Sequence, residues 1–143
     1  MRKADLSAIQ AVTDAIRDIQ GFQTSSQADT LGLIGELADS LGISPQAVRF
    51  YEKEGLVSPQ RIGRYRTFRR MDVLKLKLVV GLRGLGFGIS EIKEIIEALG
   101  GMKSAAFNDW FRQRSQTHLQ RLKGQRERLI SEIAATEQLA AKL

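Results

Sequence analysis

The sequence predicts a mainly α-helical fold in which several short helices, interrupted by one small hairpin, lead into a single extended helix. Three observations carry that expectation. Apolar residues recur at spacings of three and four over most of the chain. Both prolines lie between Gly42 and Gly63 together with Ser44, Gly55 and Ser58, and a run of glycines follows at Gly81, Gly84, Gly86 and Gly88. A seven-residue apolar repeat occupies the C-terminal part.

The first element spans residues 1–20, where Leu6, Ile9, Val12, Ile16 and Ile19 form the stripe of an amphipathic helix. Such a stripe must be covered. The residues themselves leave three covers open, the body of the protein, another protein or a second copy of the same helix, beside a helix left frayed in solution. Residues 21–30 are polar and aperiodic, and read as a flexible linker.

From residue 31 the pattern tightens. Leu33, Ile34, Leu37, Ala38 and Leu41 give a short helix one apolar side, and Gly42 permits the tight turn that ends it. Ser44 and Pro45 are an N-cap and first helical residue; Ala47, Val48 and Tyr51 then face inward while Gln46, Arg49 and Lys53 face outward. Two short helices in this arrangement are a helix-turn-helix. Leu56 and Val57 read as a strand, Pro59 and Gly63 bend the chain, and Tyr65, Thr67 and Phe68 return as the second strand of a hairpin. Arg61, Arg64, Arg66, Arg69 and Arg70 crowd this hairpin, a charge density suited to a phosphate backbone.

A largely apolar helix follows from Asp72 through Val73, Leu74, Leu76, Leu78, Val79 and Leu82, with Lys75, Lys77 and Arg83 as its exposed side. Gly81, Gly84, Gly86 and Gly88 read as its end. Ser90 is the expected N-cap of the next helix, with Lys93 where a capping box wants an acid; Ile92, Ile95, Ile96 and Leu99 form its inner stripe, closed by Gly100 and Gly101. Residues 105–143 form the extended helix. Leu119, Arg126, Ile133 and Ala140 occupy one heptad position and Leu122, Leu129, Thr136 and Leu143 the other, so the helix needs a partner helix of unspecified direction.

Composition bounds the function. With 143 residues the chain holds one domain of modest core plus an extended element. A formal net charge of +6 and a pI near 10.0 favour an acidic partner. Nucleic acid fits best, although charge alone suits a membrane surface or solubility equally. There are no cysteines, hence neither disulfides nor thiolate ligands. No signal sequence or membrane-length apolar stretch occurs, which makes the cytoplasm the expected location and a membrane partner unexpected. His118 is the single histidine and has no convergent cysteine or acid pair in the sequence, so neither metal nor cofactor is expected. No Ser-His-Asp set or nucleotide-binding glycine loop suggests an enzyme.

The IGELA run at Ile34–Ala38, the VRFYE run at Val48–Glu52, Gly55 to Pro59, the YRTF wing at Tyr65–Phe68, Asp72-Val73 and the segment Leu82 to Ile92 resemble, in order, the motifs of the MerR family of winged-helix transcription regulators. The resemblance covers about half the chain and leaves the N-terminal extension unaccounted for. It implies a winged helix-turn-helix DNA-binding domain over 31–100, followed by a dimerisation helix that forms an antiparallel coiled coil with the same helix of a second chain. It also implies a homodimer on a near-palindromic promoter operator of double-stranded DNA, whose distortion realigns promoter elements for RNA polymerase. The DNA-binding residues are then Gln46, Arg49, Tyr51, Lys53, Arg61, Arg64, Tyr65, Arg66, Arg69 and Arg70. Arg49 and Gln46 are the base readers, Tyr51 offers a hydroxyl to phosphate from a ring that belongs to the core, and the wing residues meet the backbone and minor groove.

The sequence departs from the family in four places. Phe50 stands where many relatives have a tyrosine, removing one hydroxyl. Arg64 separates Gly63 from Tyr65, Arg69 replaces a small capping residue, and the N-terminal extension has no counterpart in relatives that begin almost at the helix-turn-helix; the ligand domain of drug-sensing relatives is not expected. Phe107, Trp110 and Phe111 cluster at the start of the long helix, as packing residues or the lining of a small apolar pocket. Two other classes stay open: a DNA-architectural or phage-type accessory protein with the same winged helix, and a protein-binding adaptor that has lost DNA affinity.

Overall fold

In the computed structural model, residues 3–22 and 34–143 are described; most of the expected linker, Leu33 and the side chain of Leu6 lie outside the described set. Six helices and one hairpin follow in order. They are α1 (Lys3–Gln20), α2 (Ile34–Leu41), α3 (Pro45–Lys53), β1 (Gln60–Ile62), β2 (Tyr65–Thr67), α4 (Arg70–Gly84), α5 (Ile89–Gly101) and α6 (Ser104–Lys142). The chain divides into two compact units, Met1–Ser104 and Ala105–Leu143.

In the first unit α4 is the centre, because its apolar residues spread over a wide arc of the helix: Leu74, Leu76, Leu78, Val79 and Leu82 are all buried. It meets α2 on one side, and α1 and α5 on others. The core under the helix-turn-helix joins Leu37, Ala38, Val48, Val57, Phe68 and Leu76, with Ile34, Leu41, Ile43, Tyr51 and Val73 packed at its margin. The turn between α2 and α3 works as its composition demands. Gly42 adopts φ 69°, and the amide of Ile43 donates back to Ala38 O at 3.0 Å, a Schellman closure. Ser44 then caps α3, its hydroxyl oxygen accepting from the Ala47 amide at 3.1 Å.

Helix α1 lies along α4. Val12 and Ala15 are buried there, and the close approach depends on glycine: a Cβ on Gly81 would stand 2.7 Å from Val12 Cγ2 and 3.2 Å from the Ala8 carbonyl oxygen. Gly84 receives Ala8 in the same way, one turn on. Of the three covers left open for the N-terminal stripe, the chain's own α4 is therefore the one observed.

Several local expectations need correction. Leu56 and Val57 are buried but form no strand; the first strand is Gln60–Ile62, which is exposed throughout. Gly81 does not end α4 but sits inside it, buried against α1. The N-cap of α5 is Gly88, and the capping acid is Glu91, whose carboxylate accepts from the Gly88 amide at 3.1 Å, so Ser90 lies in the first turn. Arg69 has no side-chain acceptor to cap α4, yet the Asp72 carboxylate accepts from its amide at 3.1 Å and recovers half of a capping box.

In the second unit α6 runs as one helix of 39 residues counted from Ser104. Leu119, Leu122, Leu129 and Ile133 are exposed along it. Leu129, Ile133 and Ala140 line a shallow apolar depression. The Thr136 hydroxyl donates to Glu132 O at 2.7 Å, so this polar seam residue is satisfied within its own helix. Arg126 reaches Glu127 at 3.9 Å on the helix surface. Phe107 stacks obliquely with Trp110 and Phe111, at centroid distances of 5.9 and 5.5 Å. His118 Nδ1 lies 2.6 Å from Arg121 Nη2, which donates to it.

Candidate nucleic-acid interface

Residues 46, 49, 50 and 53 follow the i, i+3, i+4, i+7 rule and so share one face of α3. All four, Gln46, Arg49, Phe50 and Lys53, are exposed. On the opposite face Val48 is fully buried, and Ala47 and Tyr51 are half-buried against the core. The helix thus presents an amide, a guanidinium, an aromatic ring and an ammonium on a rigid, capped rod.

The hairpin sits in antiparallel register Gln60↔Thr67, Arg61↔Arg66 and Ile62↔Tyr65. Its two-residue turn is Gly63-Arg64. Gly63 has φ 61° while no residue other than glycine has positive φ among the described residues, so the turn has the φ signs of type II′. Arg64 between glycine and tyrosine is therefore the second residue of a regular hairpin turn, not a disturbance of the wing's path.

The register places Arg61 directly opposite Arg66, a like-charge pair that a two-stranded ladder tolerates poorly. Glu52 of α3 resolves it. Its carboxylate accepts from Arg66 Nε at 2.6 Å and lies 3.8 Å from Arg61 Nη2. One acid on α3 thus neutralises the crowding in the hairpin and ties hairpin to helix. Arg66 is in consequence half-buried and engaged, while Arg49, Lys53 and Arg64 form no ion pair among the described residues. Arg61, Arg64, Tyr65, Arg69 and Arg70 are exposed.

Three contributors escaped the sequence reading. Glu52 appeared there only as a letter in a motif; the signal was its being an acid just ahead of five arginines. Ile62, 60% exposed, pairs with the 66% exposed Tyr65 to give the wing an apolar tip. Phe50 counts in the sequence only for the hydroxyl it lacks, yet it is 46% exposed on the outward face of α3. No helix among the described residues is long and apolar enough to cross a membrane.

Comparison with known proteins bears on the same segment of the chain. Residues 33–99 match the family model described as MerR HTH family regulatory protein. The chain is 40% identical over 78 residues to heavy metal-dependent transcription regulator 2 of Rhizobium meliloti, covering 53% of this chain and 52% of that one. It is 35% identical over 65 residues to the mercuric resistance operon regulatory protein of Bacillus cereus, covering 44% and 49% respectively. The chain thus spans about half the length of these curated relatives. Among solved structures, HiNmlR, a MerR family regulator lacking the sensor domain, bound to promoter DNA, superposes with a TM-score of 0.53 at 24% identity, over 70% of this chain and 79% of that chain. At that identity the superposition speaks to the fold.

Proposed function

We propose, from the match of residues 33–99 to the MerR HTH family regulatory protein model, that this chain is a transcriptional regulator of that family that binds double-stranded DNA sequence-specifically as a homodimer. The observation that carries the reading is the single exposed face of Gln46, Arg49, Phe50 and Lys53, locked through Glu52 to an arginine-bearing wing. A face with bidentate donors suits base edges in the major groove, and the wing cations suit the flanking phosphates. Of these, Arg49 and Gln46 read bases. Lys53, Arg61, Arg64, Tyr65, Arg69 and Arg70 meet the backbone, and Arg66 orients the wing while its charge adds to the field.

Two copies joined along the apolar edge of α6, through Leu119, Leu122, Arg126, Leu129, Ile133, Thr136, Ala140 and Leu143, present two such faces to a near-palindromic operator. Holding both half-sites at once distorts the DNA between them, at a cost on the order of 1 to 6 kcal/mol that the second half-site contact offsets. At a promoter this distortion changes how RNA polymerase engages its elements.

Recovery and footprinting of genomic fragments at a fixed salt concentration tests the reading. A few two-fold sites lying between promoter elements are expected. Dispersed sites or direct repeats would turn the reading toward an architectural protein, and no selective binding would abolish it. Within a recovered operator, Arg49→Ala is expected to lose about 1 to 3 kcal/mol of discrimination at one base pair per half-site. Equal loss on every sequence would remove Arg49 as a reader.

A further inference from the structure

The geometry points to Phe50 as a base reader in its own right: its exposed ring, on the same face as Gln46 and Arg49, recognises the C5-methyl group of a thymine in the major groove. The inference rests on the DNA-binding reading above and adds a specificity-determining residue to it.

An isolated exposed apolar side chain is ordinary on a protein surface. Phe50 differs in its place and its support. It lies one residue after Arg49 and one turn after Gln46, with Lys53 beside it, so every neighbour on that face is a hydrogen-bonding or charged group. Its ring rests against the ring of Tyr51, 5.7 Å between centroids at 58°, and Tyr51 is itself packed against the core cluster of Val48, Phe68 and their neighbours. The phenyl group is therefore backed by a fixed side chain rather than free in solvent, and nearly half of it remains uncovered. A phenyl ring can neither donate to nor accept from a base edge. Among the groups that the four base pairs show in the major groove, the thymine methyl is the one that gains from apolar contact. Because Phe50 adjoins Arg49 on the helix, the thymine it reads lies next to the pair read by Arg49.

The test uses the full-length protein and the operator recovered by footprinting. Each thymine is replaced in turn by deoxyuridine, which deletes the methyl group and keeps base pairing. The protein with Phe50 is expected to lose about fourfold in affinity when one specific position in one half-site is substituted, and about fifteenfold when both half-sites are, as befits one buried methyl per site. Phe50→Ala is expected to bind the thymine and uracil duplexes equally while keeping its discrimination at the Arg49 position; Phe50→Leu, still apolar, is expected to retain part of the methyl preference. Indifference to every uracil substitution on an operator still bound selectively would overturn the assignment and leave the DNA-binding reading standing. Undiminished uracil sensitivity in Phe50→Ala would also overturn it, by giving the methyl to another residue. Absence of selective binding to any duplex would overturn both.

Discussion

Two amphipathic helices flank the helix-turn-helix, and the chain treats them oppositely. On α1 the stripe centred on Val12 and Ala15 is covered by α4 within the same compact unit. On α6 the stripe of Leu119, Leu122, Leu129 and Ile133 stays exposed. Apolar periodicity is present in both, so periodicity alone does not say where the cover comes from. The difference lies in the receiving surface. Gly81 and Gly84 remove side chains from one face of α4 and let a backbone approach, whereas nothing comparable is provided along α6 by its own unit. A stripe with a prepared seat in its own chain is core, and a stripe without one is proposed as an interface.

The largest effect follows from charging the unseated stripe. Leu122→Glu together with Leu129→Glu places four charges in the dimer seam and forfeits burial worth on the order of 6 kcal/mol or more, at about 1.5 to 3 kcal/mol for each leucine. Sedimentation equilibrium is expected to find a monomer whose first unit unfolds at an unchanged denaturant midpoint, since both residues lie outside that unit. A persistent dimer would move the interface away from α6.

The next largest effect turns the seated stripe into an unseated one. Gly81→Leu puts a side chain where Val12 Cγ2 and the Ala8 carbonyl already stand, and overpacking of this kind costs about 1 to 3 kcal/mol, or more where backbone must move. Hydrogen exchange is expected to show α1 amides losing protection while α2 and α3 keep theirs. Retained protection across α1 would mean that the glycine seat is not what holds it. A finer cut compares two residues of α1 itself. Val12→Ala should destabilise the protein by about 1 to 2 kcal/mol and Ile9→Ala by roughly 0.5 kcal/mol or less, because Val12 is 6% exposed and Ile9 40%. Equal losses in urea unfolding would refute the placement of the seam.

The sequence displayed what depends on neighbours along the chain and concealed what depends on contacts across it. The turn at Gly42, the cap at Ser44 and the period of α6 are local, and all were readable. Leu56 and Val57 carry strand-forming side chains, yet their positions require burial and not a ladder. The ladder went instead to Gln60–Ile62, where one isoleucine after Gln60 and Arg61 gives no alternating strand signal, and which pairs with Tyr65–Thr67 across a turn at Gly63. Gly81 resembled a helix terminator because glycine is a weak helix former. Only the approach of a helix some seventy positions earlier explains it. The interface divides the same way. The outward face of α3 follows from helical geometry, while the Glu52–Arg66 contact joins residues 14 apart and is set by the hairpin register. Phe50 shares that face by the same geometry, but how much of its ring stays uncovered beside Tyr51 is a property of the folded surface.

The smallest expected effect concerns the charges that decorate both helices. On α1, Arg17 Nη2 lies 3.3 Å from Asp14 Oδ1; on α6, Arg112 Nη1 lies 2.9 Å from Asp109 Oδ1, each pair three residues apart and open to solvent. If seats and interfaces are decided by packing, these pairs should contribute alike and little despite their different surroundings. Exposed pairs of this kind are worth about 0.2 to 0.5 kcal/mol, and added salt screens them. Double-mutant cycles that replace each residue by alanine, followed by denaturant unfolding of the protein at low and high salt, are expected to give coupling near that size in both helices and to shrink it in high salt. A coupling above about 1 kcal/mol on α1 alone, outside the range for exposed pairs, would mean that electrostatics helps to seat that helix, and the contrast with α6 would then rest on charge as well as on the glycines of α4.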